Sequence, residues 1–463
     1  MSDCEIFRNK RIGITAIDLE QKEHRGIAAV TKSLIEILYK NGADIFLITS
    51  IASKSLKKAK INKHYNHIYI SDTLSSLQKG FDYRNLFKTN IKYAIKLKYK
   101  LMLSVFNLYK RNFNLKYQIF YLRENDKKKY TSDYRLNYIQ YIKGLIYIEN
   151  IFNLCRLRSM RLINKEPELN MIKNELDLII TSCPLSLKNK DYNSTEIIQI
   201  IHDAIPLQIS THPENRNIFY NRLLDAHKNS KCIYVSNESK KIVRGFLKFK
   251  SHKYKKDIVI YPAPSLNVSQ LKKASKIIKI RSITKPFILF NSSIVERKKV
   301  EKTISFFEKS DLVNRGFVLC IAGKLHQTDY CNFIKNICKD KDYIFLLDYV
   351  NEVEKAWLFL NASLLISTSY VEGFGVPILD ALSLNLPTLA SNIPTFNEIK
   401  KLSKSNLLEL INLSEEVTWE DKLNNIKALN INNKEIKLTR INHFKHFIDK
   451  FENDLISKIH SFM

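Results

Sequence analysis

Ser363-Leu-Leu-Ile-Ser-Thr-Ser-Tyr-Val-Glu-Gly-Phe-Gly-Val-Pro-Ile-Leu-Asp-Ala-Leu382 reads as a buried strand, a glycine turn and the opening of a helix. Gly373 and Gly375 let backbone amides come close to a ligand with no side chain in the way. Pro377 suits a first helical turn, where its missing N–H removes nothing. A helix starting there presents unpaired N–H groups and partial positive charge, a fit for a diphosphate. Glu372 lies in the turn, and Asp380, in the first turns of the helix, is placed to accept paired ribose hydroxyls. A purely structural strand, turn and helix, with Glu372 stabilising the helix dipole, fits the same residues.

Working outward, Phe290-Asn-Ser-Ser-Ile-Val-Glu-Arg-Lys-Lys-Val-Glu-Lys302 delivers Arg297 and Lys298 from a strand end into a loop before a helix. Two fixed cations there can neutralise charge on a departing diphosphate; as a bare triplet they also fit a solvated charge run. Earlier, Ile200-Ile-His-Asp-Ala-Ile-Pro-Leu207 places His202 and Asp203 just past an apolar strand, the edge where α/β sheets take ligands. An imidazole there can donate to a sugar hydroxyl or a phosphate, or serve as a satisfied structural residue.

The beginning of the chain has the same grammar. Arg11-Ile-Gly-Ile-Thr-Ala-Ile17 is an apolar run; the polar stretch Asp18 to Arg25, Gly26, an amphipathic helix near 27–40 and the strand 43–49 follow. Strand, loop, helix and strand form a βαβ unit. Further strands are expected at 176–181, 197–201, 232–236 and 258–261. A second set is expected at 287–291, 317–322, 343–347, 363–367 and 387–391, after a charged linker at 271–285. The expected organisation is an α/β first domain over 1–270, a second over 285–425, and a helical tail over 426–463. Within the first domain, residues of about 84–175 break the rhythm as a basic helical insert. Lys88, Lys92, Lys96 and Lys100 recur at four-residue spacing beside Phe87, Ile91, Ile95, Tyr99 and Met102. A basic stripe beside an apolar one suits a helix on an anionic membrane surface, here over 86–110; a solvated lysine face with a core face fits as well.

The chain of 463 residues carries 75 Lys plus Arg against 46 Asp plus Glu, for a formal net charge of +29, which favours phosphate-bearing substrates, anionic lipid or nucleic acid. No zinc-finger spacing and no RNP-type aromatic motif accompanies that charge, so no nucleic-acid partner is expected. The scattered cysteines form no C-x2-C pair, which suits a reducing cytosol. The first residues hold no apolar signal core, and no long uncharged apolar run follows. A cytoplasmic protein is expected, peripheral on the inner membrane face if the insert binds lipid. Asp340-Lys-Asp342 lies in a lysine-rich turn and reads as a solvated turn, so no metal is expected.

The 363–382 stretch resembles the E-x7-E region of the retaining glycosyltransferases of family four, the group 1 glycosyltransferases. These have the GT-B fold, two Rossmann-like doubly wound parallel-sheet α/β domains facing across a cleft. The resemblance implies that Glu372 contacts the donor sugar, and that Gly373, Phe374, Gly375 and Val376 turn their amides to sugar and phosphate. It implies that Asp380, where the family usually has a second glutamate, binds the ribose. The Arg297-Lys298 loop resembles the family's RKN or RKG loop, with Lys298 the phosphate lysine. Ser292 stands where many members have arginine, which implies either that Arg297 carries more of the load or that a threonine/serine-type subclass is represented. HDxxPL followed by VSxxSK at 232–240 is similar to the family's first-domain pattern and implies that His202 approaches the donor sugar, with Asp203 orienting the loop. Gly26 and Gly323 match the first-domain glycine loop and a second-domain strand end.

The activity so implied is transfer of a hexose-type sugar from a nucleotide diphosphate sugar, such as a GDP- or UDP-hexose, to a saccharide or lipid-linked acceptor with retained configuration, in cell-surface polysaccharide or lipopolysaccharide assembly. His202, Glu372, Lys298 and Arg297 are the expected catalytic residues, with no cofactor beyond the sugar nucleotide. The other reading is a degenerate GT-B scaffold or binding protein, marked by Asp380 and Ser292.

Overall fold

Long apolar runs without alternation, such as Asp44–Thr49 and Leu178–Thr181, are the pattern of parallel strands covered on both faces, and their side chains are buried almost throughout. The structure, a computed structural model, describes residues 6–21, 24, 26–51, 66–80, 114–133, 135–171, 175–190, 195–210, 212–248, 256–431 and 433–462. Two units are resolved by their internal contacts: Met1–Val235 with Ser239–Ile260 and Ile456–Met463, and Ser236–Glu238 with Tyr261–Leu455.

In the first unit the described residues form a sheet ordered Asp257–Val259, Lys231–Tyr234, Glu196–Ile201, Leu178–Thr181, Arg11–Thr15, Asp44–Thr49, Ile142–Ile148 and Tyr117–Tyr121. All neighbours are parallel except the last pair, in which Tyr117 faces Ile148. The helix Gly26–Lys40 buries Leu34, Ile35, Ile37 and Leu38, a spacing set by its 3.6-residue period. Chain order reverses between Arg11–Thr15 and Leu178–Thr181.

The insert expected over 84–175 needs correction in its second half. Ile142–Ile148 pairs in parallel with Asp44–Thr49 inside the main sheet, and Tyr117–Tyr121 closes its edge. Gly144 makes that pairing possible: a Cβ there would lie 2.7 Å from the Phe120 carbonyl oxygen and 2.9 Å from the Phe46 ring. The lysine-striped segment at 86–110, and with it the membrane-surface assignment, lies outside the described residues.

The second unit carries a fully parallel sheet ordered Ile344–Asp348, Val318–Ala322, Phe287–Asn291, Leu364–Ser367, Thr388–Ser391 and Leu408–Ile411. Numbered within the unit, that is the doubly wound order 3-2-1-4-5-6, with its reversal between Phe287–Asn291 and Leu364–Ser367. Ile288, Phe290, Leu319, Ile321, Leu364 and Ile366 form its core with Phe306, which stacks on Trp419 at 5.0 Å between ring centroids.

Tyr261 already belongs to the second unit, ahead of the charged stretch 271–285 expected as the linker. Val268–Ser275 is a helix opened by a reciprocal Asn267–Gln270 capping box, and Leu271 and Ala274 are buried. The tail is the helix Lys434–Phe462. Its buried Arg440 donates from Nη1 to the carbonyls of Phe359, Leu360 and Ala362, the orphan acceptors at the end of the helix Glu352–Asn361. Among the described residues no helix is long and apolar enough to cross a membrane.

Candidate functional site

Strand Phe287–Asn291 and strand Leu364–Ser367 flank the order reversal of the second sheet, and each hands its chain to a loop at its carboxyl end. The first loop runs into the short turn Glu296–Lys298 and the helix Val300–Lys309. The second runs through Glu372 to the helix Val376–Ser383. In doubly wound sheets this is where ligands sit.

Cross-bonds lock the two loops together. Thr368 Oγ1 donates within reach of the Lys298 and Lys299 carbonyls, at 2.9 and 2.8 Å. The Tyr370 N–H donates to the Arg297 carbonyl at 3.0 Å, and Arg297 Nη1 returns a bond to the Val371 carbonyl at 3.0 Å. Lys299 takes the left-handed conformation, φ +48°, to turn the loop into its helix.

At the centre, Glu372 is held by three donors. Arg297 Nη1 reaches Oε2 at 2.9 Å, the Lys298 ammonium pairs with Oε1, and Ser369 Oγ donates to Oε1 at 2.8 Å. Burial by itself would raise this carboxyl; Lys298 and Arg297 outweigh it and, with Ser369, hold it at about 2. The Lys298 side chain is only 6% exposed, so the pair works in a poorly screened setting. Among the described residues Arg297 bonds through Nη1, which leaves Nε and Nη2 able to donate to an anion.

The glycine turn is tighter than its sequence suggests. Gly375 has φ +114°, and a Cβ there would meet the Phe396 ring at 2.7 Å, so packing as well as backbone conformation demands glycine. The N–H groups of Ile378 and Leu379 both return to the Gly375 carbonyl, at 3.0 and 3.3 Å, and Pro377 has none. Among the described residues the Val376 N–H makes no backbone bond outside its helix, so this helix end can offer it as a donor. Phe374 is buried and stacks on Tyr261 at 5.7 Å, and the Gly373 carbonyl accepts from Ser236 Oγ at 2.6 Å. Gly323 serves the framework, since a Cβ there would fall on the Ser292 carbonyl oxygen. Ser292 itself is held by its N–H to the Ala322 carbonyl at 3.0 Å.

Asp380 departs from the role expected of it. Its carboxylate has no exposed surface: Oδ1 accepts from the Ser265 N–H at 2.6 Å, and Oδ2 from Ser265 Oγ and Lys355 Nζ, each at 2.6 Å. Both oxygens are occupied, so direct ribose contact is not open to it in this arrangement. It orders Ser265 and Lys355 instead. Those two residues, with Thr368 and Ser369, are what sequence reasoning missed. Ser369 is signalled only by lying three positions before Glu372; Ser265 and Lys355 lie far from Asp380 in sequence and carry no local signal.

In the first unit His202 is half-buried just past Glu196–Ile201, and its Nε2 lies 2.7 Å from the Ser182 carbonyl. Asp203 Oδ1 accepts from the Ile205 N–H at 3.1 Å, which makes it an orienter of its loop. Gly26 opens the helix Gly26–Lys40 with free space around its Cα. Among the described residues no group of three or more His, Cys, Asp or Glu side chains gathers to hold a metal. Asp340 and Asp342 border a turn in which Asp340 has φ +61°.

The family described as Glycosyl transferases group 1 matches residues 273–426, which include both loops. The O-antigen chain mannosyltransferase RfbU of Salmonella typhimurium is 28% identical over 131 residues, 28% of this chain and 34% of that protein. The serotype-specific mannosyltransferase WbdA of Escherichia coli is 27% identical over 116 residues, 25% of this chain and 14% of that protein. The alignments thus span 34% and 14% of these curated relatives' length. Among solved structures, sucrose-phosphate synthase from Thermosynechococcus elongatus superposes with a TM-score of 0.54 at 10% identity, covering 98% of this chain and 99% of that one. The fold is GT-B, with two Rossmann-like units.

Proposed function

We propose that the protein, whose residues 273–426 match the family described as Glycosyl transferases group 1, transfers a hexose from a nucleotide diphosphate sugar to a saccharide or lipid-linked acceptor, with retained configuration. The observation that carries this reading is the Arg297–Lys298–Glu372 cluster at the strand-order reversal of the second sheet. Two cations against one carboxylate leave net positive charge where a diphosphate would lie. The Nε and Nη2 of Arg297 and the Val376 N–H add donors of the kind phosphate oxygens take.

In the proposed reaction the bond between the sugar's anomeric carbon and the diphosphate oxygen breaks. The acceptor oxygen bonds to that carbon on the same face, and its proton passes to the departing phosphate. Arg297 and Lys298 stabilise the charge that builds on the diphosphate. Glu372 fixes the two cations in place, and Asp380 supports the nucleotide side through Ser265 and Lys355. No step asks a metal for charge neutralisation. Both curated relatives are named as mannosyltransferases, one for the O-antigen chain, which supports mannose as the sugar and lipopolysaccharide assembly as the setting.

A donor screen tests the proposal. Purified protein is incubated with UDP- and GDP-hexoses, with and without saccharide acceptors, and free UDP or GDP is measured. Acceptor-dependent release from one donor is the expected result; binding of a sugar nucleotide with no release from any donor favours the degenerate scaffold.

A further inference from the structure

The first sheet has its own order reversal, between Arg11–Thr15 and Leu178–Thr181, and the space past those carboxyl ends is a natural ligand crevice. Three adjacent strands each deliver a polar residue just beyond their ends. Asp18 lies in the turn after Arg11–Thr15, Ser182 follows Leu178–Thr181, and His202 follows Glu196–Ile201. Asp18 is 8% exposed, and its Oδ2 is closed off from solvent with no hydrogen-bond partner. Buried polar atoms are normally paired, and orphans concentrate where function requires them. Burial raises the Asp18 carboxyl above its ordinary value, against the opposing pull of Ser182, His202 and Arg222.

Ser182 and His202 also bond elsewhere. The Ser182 N–H donates to Thr15 Oγ1 at 3.0 Å, and the two hydroxyls lie 3.3 Å apart. A carbonyl oxygen only accepts, so His202 Nε2, 2.7 Å from the Ser182 carbonyl, carries a proton. What stands unpaired beside the ends of these strands is therefore a carboxyl oxygen, Asp18 Oδ2. Acceptors call for a ligand rich in O–H donors, and an acidic group disfavours a phosphate-bearing one.

We infer that Asp18 is a substrate-binding residue whose carboxyl group takes a hydroxyl of the saccharide that accepts the transferred sugar. This rests on the glycosyl-transfer reading, with the donor diphosphate assigned to the second unit. A polyol fits this end of the first unit on chemistry alone, since its hydroxyls supply the donor that Asp18 Oδ2 lacks.

The test uses the full chain, Asp18→Asn and Asp18→Ala. Saturation-transfer NMR measures binding of the methyl glycosides of mannose, glucose, galactose and N-acetylglucosamine, and titration measures binding of UDP and GDP. The expected result is that wild type binds at least one glycoside. Both variants should bind it at least about tenfold weaker, about the loss of one hydrogen bond to a charged group, with nucleotide affinity within about twofold and an unlowered melting temperature. Equal glycoside binding by the variants, or no glycoside binding by a wild type that binds nucleotide, overturns the inference. So does joint loss of both ligands with a lowered melting temperature, the mark of a structural residue. A wild type that binds glycoside but neither UDP nor GDP overturns the donor reading instead.

Discussion

Replacing Glu372 with glutamine removes the one negative charge that the second-unit cations share. Lys298, with a side chain 6% exposed, and Arg297, 21% exposed, are then left facing each other and an amide. Stranding a buried charge in this way costs about 3–5 kcal/mol. The carboxyl's own displacement gives a second figure: from the ordinary 4.5 down to about 2 corresponds to about 3 kcal/mol of stabilisation. For a unit of this size each kcal/mol moves the midpoint by about 2–4 °C, so Glu372→Gln should lower it by ~6–20 °C. Trp357 and Trp419, the chain's two tryptophans, are fully buried in the second unit, so tryptophan fluorescence reports its unfolding. Adding Lys298→Met removes the stranded cation and should recover much of the midpoint, because buried pairs exchange for apolar groups at small net change. Because the folded carboxyl titrates below its ordinary value, the pair's contribution is present above pH 4.5 and lost as the pH falls toward 2. Wild type and the double variant should converge across that window. A Glu372→Gln midpoint within about 1 °C of wild type would refute the reasoning, since a pair worth over about 3 kcal/mol cannot vanish unnoticed.

Lys298→Ala and Glu372→Ala should each slow sugar transfer by at least ~10²-fold in the donor-release assay, the scale of losing one charge-stabilising group; rates near wild type in both would end the assignment. Gly323→Ala drives a Cβ into the Ser292 backbone carbonyl and should destabilise the second unit by about 1–3 kcal/mol, read by tryptophan fluorescence in urea. In the first unit, burial lowers His227 to about 4 and His24 to about 2. Their folded values lie below the ordinary 6.5, so stability is full above that pH and drains as the pH falls toward 4. Circular dichroism, which sees both units, should therefore change before tryptophan fluorescence does; coincident acid transitions would contradict this.

The second sheet was legible because each of its inner strands is an unbroken apolar run ending at a polar loop, and Arg297, Lys298 and Glu372 stand in the loops that follow such runs. Ile142–Ile148 was not. Lys143 and Gly144 interrupt its pattern, and the four-residue lysine spacing upstream drew the whole region into one helical reading. Asp380 was placed on the right helix but given the wrong neighbour, because what occupies its oxygens comes from Ser265, 115 residues away, and Lys355, 25 away. Thr368 ties the two site loops through single hydroxyl bonds that leave no periodic trace. Asp203 accepts from the Ile205 N–H, an Asx bond two residues ahead of the kind that local sequence does encode.

The most direct measurement of the central claim is the affinity of UDP and GDP for wild type and for the Arg297→Ala/Lys298→Ala double variant, by calorimetric titration across a range of salt. The account predicts a loss of at least ~10²-fold in the affinity of the nucleotide that wild type prefers, with a flatter salt dependence, as expected when two diphosphate-facing cations are removed. Equal affinity in the two proteins would contradict it, and place the diphosphate somewhere other than the loops at the second sheet's order reversal.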